Sequence, residues 1–199
     1  MGRQQVDVRR EEILAATVRE IEISGMASLR VADVASALGV SSGLVFYHFD
    51  TKDALLVAAL EFAVDRDLAR LDNALTKGST PTEQLARILA SYGPTGAAPG
   101  WTIWIDAFAT SLREPTIRRS LRMMDKRWCS ALQSAIEAGV GSGDFTCADP
   151  AASAARIGAL LDGLTIAVLV YGTVTRKELK AWIREAAAKE IGVSVDSLA

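Results

Sequence analysis

The stretch ALGVSSGLVFYHFDTKDALL, residues 37–56, decides how the rest of the chain is read. Just before and into it, Val31, Val34, Ala35 and Leu38 fall at i, i+3, i+4 and i+7, which predicts a short helix over Val31–Leu38 that Gly39 stops. Only Gly39-Val40-Ser41 separates it from a second short helix, Ser42–Phe49, with Val45 and Phe49 on its inward side. Two short helices joined by a glycine-containing turn of three or four residues form a helix-turn-helix, whose second helix stands proud of the body and enters a major groove. The outward set is Ser42, Gly43, Leu44, Phe46, Tyr47 and His48, an odd surface for a helix that meets only water. A Ser-Gly start allows close backbone approach to DNA, and N–H groups at a helix start favour phosphate oxygens. Tyr47, His48 and Lys52 add hydroxyl, imidazole and ammonium donors within a turn or so of one another.

His48 is the only histidine in the chain and lies close to Ser41, Ser42 and Asp50. Catalysis would require an aligned nucleophile or a second acid inside a cleft, and a short exposed helix supplies neither. No catalytic residue is therefore expected, and the chain is not read as an enzyme. Cys129 and Cys147 stand singly, without CxxC spacing or a nearby histidine, so no disulfide framework and no metal ligand set is expected, and no cofactor is called for.

Working outward, the apolar spacing stays helical throughout, no sustained alternation of period two appears, and the breaks fall at glycine or proline. An all-α fold of about nine helices follows. Arg9–Ser24 precedes the helix-turn-helix, with Ile13, Thr17 and Ile21 on one face and Gly25 as its stop. After it, Asp50 or Thr51 caps a long fourth helix reaching Gly78, and Pro81 opens a fifth ending near Tyr92. SYGPTGAAPG, residues 91–100, is the clearest loop, and Trp101–Arg113, Pro115–Ala138, Asp149–Tyr171 and Arg176–Ile191 complete the set. The domains expected are 1–50, a three-helix DNA-binding unit, and 51–199, a larger helical ligand-binding and dimerisation body. With half of its 199 residues hydrophobic, the chain can bury a sizeable core. The longest apolar run, 157–171, is shorter than the roughly 20 residues a bilayer demands. It also carries Asp162, so no membrane partner and a cytoplasmic location are expected. Residues 1–60 hold 6 Lys+Arg against 8 Asp+Glu and the remainder 16 against 16, so any footprint on DNA must be local rather than domain-wide.

The combination of Gly39-Val40-Ser41, Gly43, Phe46-Tyr47-His48-Phe49, Lys52 and Ala54-Leu55 resembles the DNA-reading segment of the TetR family of bacterial transcriptional regulators. The WTIWIDAFATSLREPTIRR stretch, residues 101–119, is similar to the C-terminal domains of the betaine-pathway repressor group. The resemblance implies that Ser42, Gly43, Leu44, Phe46, Tyr47 and His48 face DNA and that Lys52 grips a phosphate. It also implies a four-helix subunit interface built from the last two helices. Two positions depart from the family. Arg30 stands where a Thr or Ser cap is common, so Arg30 is expected to hold a phosphate and Ser28 to cap; Phe46 stands where a tyrosine is common. Packing of Tyr47 on the first helix, plain solvation of Lys52, and a flexible arm of Arg3, Arg9 and Arg10 remain open readings.

One recognition helix reaches few base pairs, so tight binding calls for two copies roughly 34–36 Å apart, and a homodimer on a double-stranded, near-palindromic operator is expected. The expected regulator is a ligand-responsive repressor; the alternative is a helical protein-interaction module without specific DNA binding. Trp101, Trp104, Ile105 and Phe108 form an aromatic stripe, with Tyr92 before the loop and Trp128 on the next helix. The stripe reads either as plain core or as an apolar pocket for a small-molecule effector with Asp106 as a polar contact. Asp162, inside an apolar helix, needs a partner, and Arg156 is six residues away, too far for an i,i+4 pair. That partner is expected in another element, in a second subunit or in a ligand.

Overall fold

A computed structural model of the chain describes residues 2–92 and 101–198, with side chains from Arg9 onward. Residues 93–100 of the SYGPTGAAPG loop and the side chain of Arg3 lie outside the described residues. Among those described, nine α-helices and no strand are present. They are α1 Gly2–Ser24, α2 Val31–Ala37, α3 Ser42–Phe49, α4 Lys52–Lys77, α5 Pro81–Ser91, α6 Thr102–Ser111, α7 Pro115–Ser142, α8 Pro150–Ile166 and α9 Arg176–Ile191. A short 3₁₀ turn follows at Val195–Leu198. Helix α1 starts earlier and α7 ends later than apolar spacing alone predicts.

The chain forms two compact units, Met1–Arg66 with Pro99–Arg122, and Asp67–Ala98 with Met123–Ala199, so the division falls inside the unbroken helices α4 and α7. In the first unit, α2 and α3 have seven and eight residues, too short to persist alone in water. They are held because Val31, Val34 and Ala35 of α2 and Val45 and Phe49 of α3 are buried together with Ile13, Leu14 and Ile21 of α1. Ser41 caps α3 by accepting the Leu44 N–H at 3.3 Å, and Thr51 accepts the Ala54 N–H at 3.1 Å to start α4. Gly39 sits at φ +65° in the turn between α2 and α3, a conformation that a residue with a Cβ adopts only at a cost.

Helix α6 is tied to the end of α1 by two reciprocal bonds. Glu22 accepts the Ile103 N–H at 2.9 Å, supplying a cap to the first turn of α6, and Asp106 accepts the Met26 N–H at 2.7 Å just past the end of α1. Gly25, between them at φ +80°, lets the chain turn, and a Cβ there would stand 3.2 Å from the Asp106 carboxylate.

In the second unit, α8 and α9 pack side by side through Ile157, Leu161 and Leu164 and through Leu179, Ile183 and Ala187. Asp149 caps α8 and Thr175 with Glu178 forms a reciprocal capping box on α9. Arg156 answers Glu190 of α9 with a two-pronged pair, Nε to Oε1 at 2.8 Å and Nη2 to Oε2 at 2.5 Å, and Ser153 donates to the same carboxylate at 2.7 Å. These bonds hold the Glu190 carboxyl down at about 2. The last turn of α8 widens into a π-type turn over Ala167–Tyr171. With it the helix runs unbroken for 22 residues, its most apolar 18-residue window at a mean hydropathy of 1.6, long and apolar enough by length and composition to cross a membrane, which the shorter run seen in the sequence did not suggest. Only 39% of its most apolar window is buried, and Leu160, Leu169, Val170, Tyr171 and, on α9, Trp182 are left exposed.

Candidate functional site

Helix α3 presents a surface at odds with its inward face. Val45 and Phe49 are buried, whereas Phe46 is 42% and Tyr47 75% exposed. Gly43 is exposed and Ser42, Leu44 and His48 are partly so. The Tyr47 and His48 rings meet edge to face, with centroids 5.4 Å apart. Burying a tyrosine ring is normally favourable, so one left this open on a short, well-capped helix is available to a partner. Asp50 closes the helix at φ 53°, its N–H bonded to the Phe46 carbonyl at 2.8 Å, and turns the chain at once into α4. Lys52, half-exposed, is thereby the first residue of α4, one turn beyond His48.

Two sequence expectations change. Arg30 occupies the N-cap position of α2 itself and no side chain supplies a cap bond, so Ser28 does not cap; Arg30 is exposed. Arg10 lies with its guanidinium 4.9 Å from the centre of the Phe49 ring, and Arg9 pairs with Glu12 at 2.5 Å, so both belong to the packed surface of α1 rather than to a loose arm.

The aromatic and acidic residues singled out in the body are shared between the two units. Trp101, Trp104, Ile105, Asp106 and Phe108 belong to the first. Trp104 is buried, Phe108 is on the surface, and the Asp106 carboxylate is engaged with the Met26 backbone. Tyr92, Trp128 and Asp162 come together in the second. The Tyr92 hydroxyl donates to Asp162 Oδ1 at 2.5 Å, and its ring stands perpendicular to that of Trp128 with centroids 4.8 Å apart. Asp162 thus finds its partner 70 residues away in sequence. Burial pushes the Asp162 carboxyl up, against the opposing effect of the Tyr92 hydroxyl, and Asp125 pushes it further. Burial first and the Asp162 charge second hold the Tyr92 phenol far above its ordinary range, so it remains a neutral donor. Cys129, beside Asp125 at 3.7 Å, is pushed up to about 11 by burial and by that carboxylate, which leaves it a thiol without nucleophilic character at neutral pH.

The sequence did not single out Asp67. It is 7% exposed, accepts the Trp128 indole N–H at 2.6 Å, and is paired with Arg70 one turn along α4. Its signal was present: Leu60, Val64, Asp67 and Leu71 share one buried stripe of α4, and an acid inside such a stripe requires a bonded partner. Tyr92, Trp128, Asp162, Asp125 and Asp67 thus come together as a cluster, or box, of two aromatic rings and three carboxylates, a chemistry suited to an organic cation. Among the described residues no cluster of three or more His, Cys, Asp or Glu is placed to hold a metal ion.

Comparison with known proteins agrees on both regions. Residues 13–59 match the bacterial regulatory proteins of the tetR family, and residues 81–192 match the C-terminal part of BetI-type transcriptional repressors. The HTH-type transcriptional regulator BetI of Burkholderia thailandensis is 30% identical over 166 residues, 79% of this chain and 80% of that protein. The regulator of the same name from Stenotrophomonas maltophilia is 33% identical over 132 residues, 63% of this chain and 65% of that protein, so this second match spans just under two thirds of the relative. A transcriptional regulator from Saccharomonospora viridis, solved in complex with choline, superposes with a TM-score of 0.86 at 26% identity, covering 93% of this chain and 98% of its own. A TetR-family regulator from Rhodococcus sp. superposes with a TM-score of 0.77 at 28% identity, covering 91% and 97%. These relatives are regulators and not enzymes, and none supports the protein-interaction alternative. The chain therefore belongs to the TetR family of DNA-binding transcriptional regulators, with a C-terminal part of the BetI type.

Proposed function

We propose that the protein is a repressor that binds a near-palindromic operator as a homodimer and is released from it by a choline-like quaternary ammonium cation. The observation that carries this reading is the Tyr92–Asp162 bond at 2.5 Å beside the perpendicular Trp128 ring. Aromatic faces attract a cation that cannot itself donate a hydrogen bond, and a buried carboxylate lacking a countercharge is stabilised when such a cation arrives. The choline complex of the Saccharomonospora viridis relative supports the same ligand class.

On the DNA side, residues 1–50 form the reading domain. Ser42, Gly43, Leu44, Phe46, Tyr47 and His48 face the groove, and Arg30 and Lys52 hold phosphates. Residues 51–199 carry effector binding and dimerisation. The open apolar side of α8, with Leu160, Leu169 and Val170, and Trp182 on α9 meet the same surfaces of a second copy. The protein works where the chromosome is, in the cytoplasm. Trp128 is bonded to Asp67 of α4, and Lys52 begins that same unbroken helix, so displacement of Trp128 by a ligand is passed along α4 towards the recognition helix. The coupling can be no larger than the ligand's differential affinity for the two states, typically about 1–3 kcal/mol.

The test is selection of bound fragments from sheared genomic DNA at two salt concentrations, followed by titration of the recovered site with choline chloride. Two half-sites about one helical turn apart, weakened by choline in the native protein but not in Asp162→Asn, are expected. Recovery without a shared sequence would overturn the operator reading, and a choline response unchanged in Asp162→Asn would overturn the effector site.

A further inference from the structure

A cleft of about 390 Å³ opens in the second unit between α5, α9 and the 3₁₀ turn at Val195–Leu198, well away from any role given above. Its α5 wall is Glu83, Ala86, Arg87 and Ala90, one face of the helix at i, i+3, i+4 and i+7. At 3.6 residues per turn Tyr92 falls on the opposite side of α5, so the cleft and the aromatic box are separate places. The α9 wall is Lys180, Ile183 and Arg184, again one face. Ala86 and Ala90 leave the space open where longer side chains would fill it, and the buried Leu89, Ile183 and Leu198 close its base.

Three cations converge on this space. Lys180 and Arg184 are four residues apart on α9, a like-charge pair that opposes the helix, and Arg87 faces them from α5. None of the three has an ion pair among the described residues. The one acid in the wall, Glu83, is already engaged at the start of α5: its Oε2 accepts the Ser79 N–H at 2.9 Å, and the Thr80 hydroxyl in return accepts the Glu83 N–H at 3.2 Å. Nothing in the packing of the fold requires this concentration of positive charge around an apolar base. An anion with an apolar tail would answer both features at once, its head shared between guanidinium groups and its tail on the leucines and alanines.

We propose that this cleft is a second small-molecule site, for an organic carboxylate with an aliphatic tail, distinct in sign and position from the cation box. The proposal stands whether or not choline is the effector of that box.

The experiment is calorimetric titration of the full chain with sodium octanoate at constant ionic strength, with sodium phosphate supplying the head alone and 1-octanol the tail alone. One saturable octanoate site per chain is expected, with both partial probes at least tenfold weaker. The double variant Lys180→Gln/Arg184→Gln should weaken octanoate at least tenfold, and Ala86→Leu should remove the site by filling it. Asp162→Asn and saturating choline chloride should leave octanoate binding unchanged. Absence of saturable heat, affinity unaltered in the double variant, or phosphate binding as tightly as octanoate would each overturn the proposal. The glutamines replace one exposed and one half-exposed side chain, neither of them in an ion pair among the described residues, so the double variant decides the matter even if Ala86→Leu fails to fold. Choline titration of the same preparations reports separately on the cation box.

Discussion

Helix α3 holds Tyr47 75% exposed on an eight-residue helix, while 45 residues further along the chain Tyr92 is drawn inward with its hydroxyl bonded to a carboxylate. The same side chain is used in opposite ways. On α3 the two ends of the helix are closed locally, by the Ser41 cap and the Asp50 turn, and the aromatic surface is left over for something outside the chain. In the box, each polar group leans on another: Tyr92 on Asp162, Trp128 on Asp67, Cys129 on Asp125. A surface left open to a partner tolerates substitution without collapse, whereas a buried set of mutually bonded groups does not, because removing one partner strands the other.

That contrast can be broken in order of effect. The largest loss is expected from Phe49→Ala, which empties the inward side of α3 and removes the ring beneath Arg10; about 3–5 kcal/mol of stability should disappear in urea unfolding. Asp67→Ala should cost about 1–3 kcal/mol by leaving the Trp128 indole N–H buried without an acceptor. Asp67→Asn, which retains an acceptor oxygen, should recover most of it, and equal losses in the two variants would show that the indole bond matters little. Ser41→Ala removes the cap of α3 and should cost about 1 kcal/mol, visible as a lower urea midpoint at unchanged slope. Lys52→Ala should leave stability nearly untouched and lower the slope of log affinity against log salt by about 0.9 per subunit, equally on specific and random DNA. A drop confined to the operator would instead make Lys52 a reader of sequence.

Acidity sharpens the comparison from the other side. Burial raises the Asp162 carboxyl from its ordinary value, so it takes up a proton at a higher pH than an exposed aspartate does. The protonated form is neutral and no longer attracts a cation. Choline affinity is therefore expected to be full above that raised value and to fall as pH drops through it. In Asp162→Asn it should be weak and flat with pH.

The parts legible in the sequence are those whose partners are close in it. Val45 and Phe49 declare the inward side of α3 within five residues, Gly39 marks the turn, and Thr175 with Glu178 announces the start of α9 three residues apart. The box was legible only as a list of residue types. Asp162 showed that it needed a partner, but Tyr92 lies 70 residues away and no spacing rule connects them. Asp106 shows the limit most plainly. An acid in an aromatic stripe invites a ligand, yet its carboxylate holds a backbone N–H 80 residues distant, a bond that exists only once α1 and α6 are side by side. The Ser28 cap was misread for the opposite reason: α2 begins right after Arg30, where it was placed, but it starts without a side-chain cap because burial of Val31, Val34 and Ala35 suffices to hold it.

The paired bonds between α1 and α6 have a consequence for motion. The Met26 and Ile103 amides both lie outside the helical ladders, and each is closed by a carboxylate carried on the other helix, Asp106 for the first and Glu22 for the second. Neither proton can meet solvent unless the two helices part, and when they part both are released together. Deuterium should therefore enter at Met26 and Ile103 with one shared opening equilibrium, and any ligand or DNA that slows one of these amides should slow the other by the same factor.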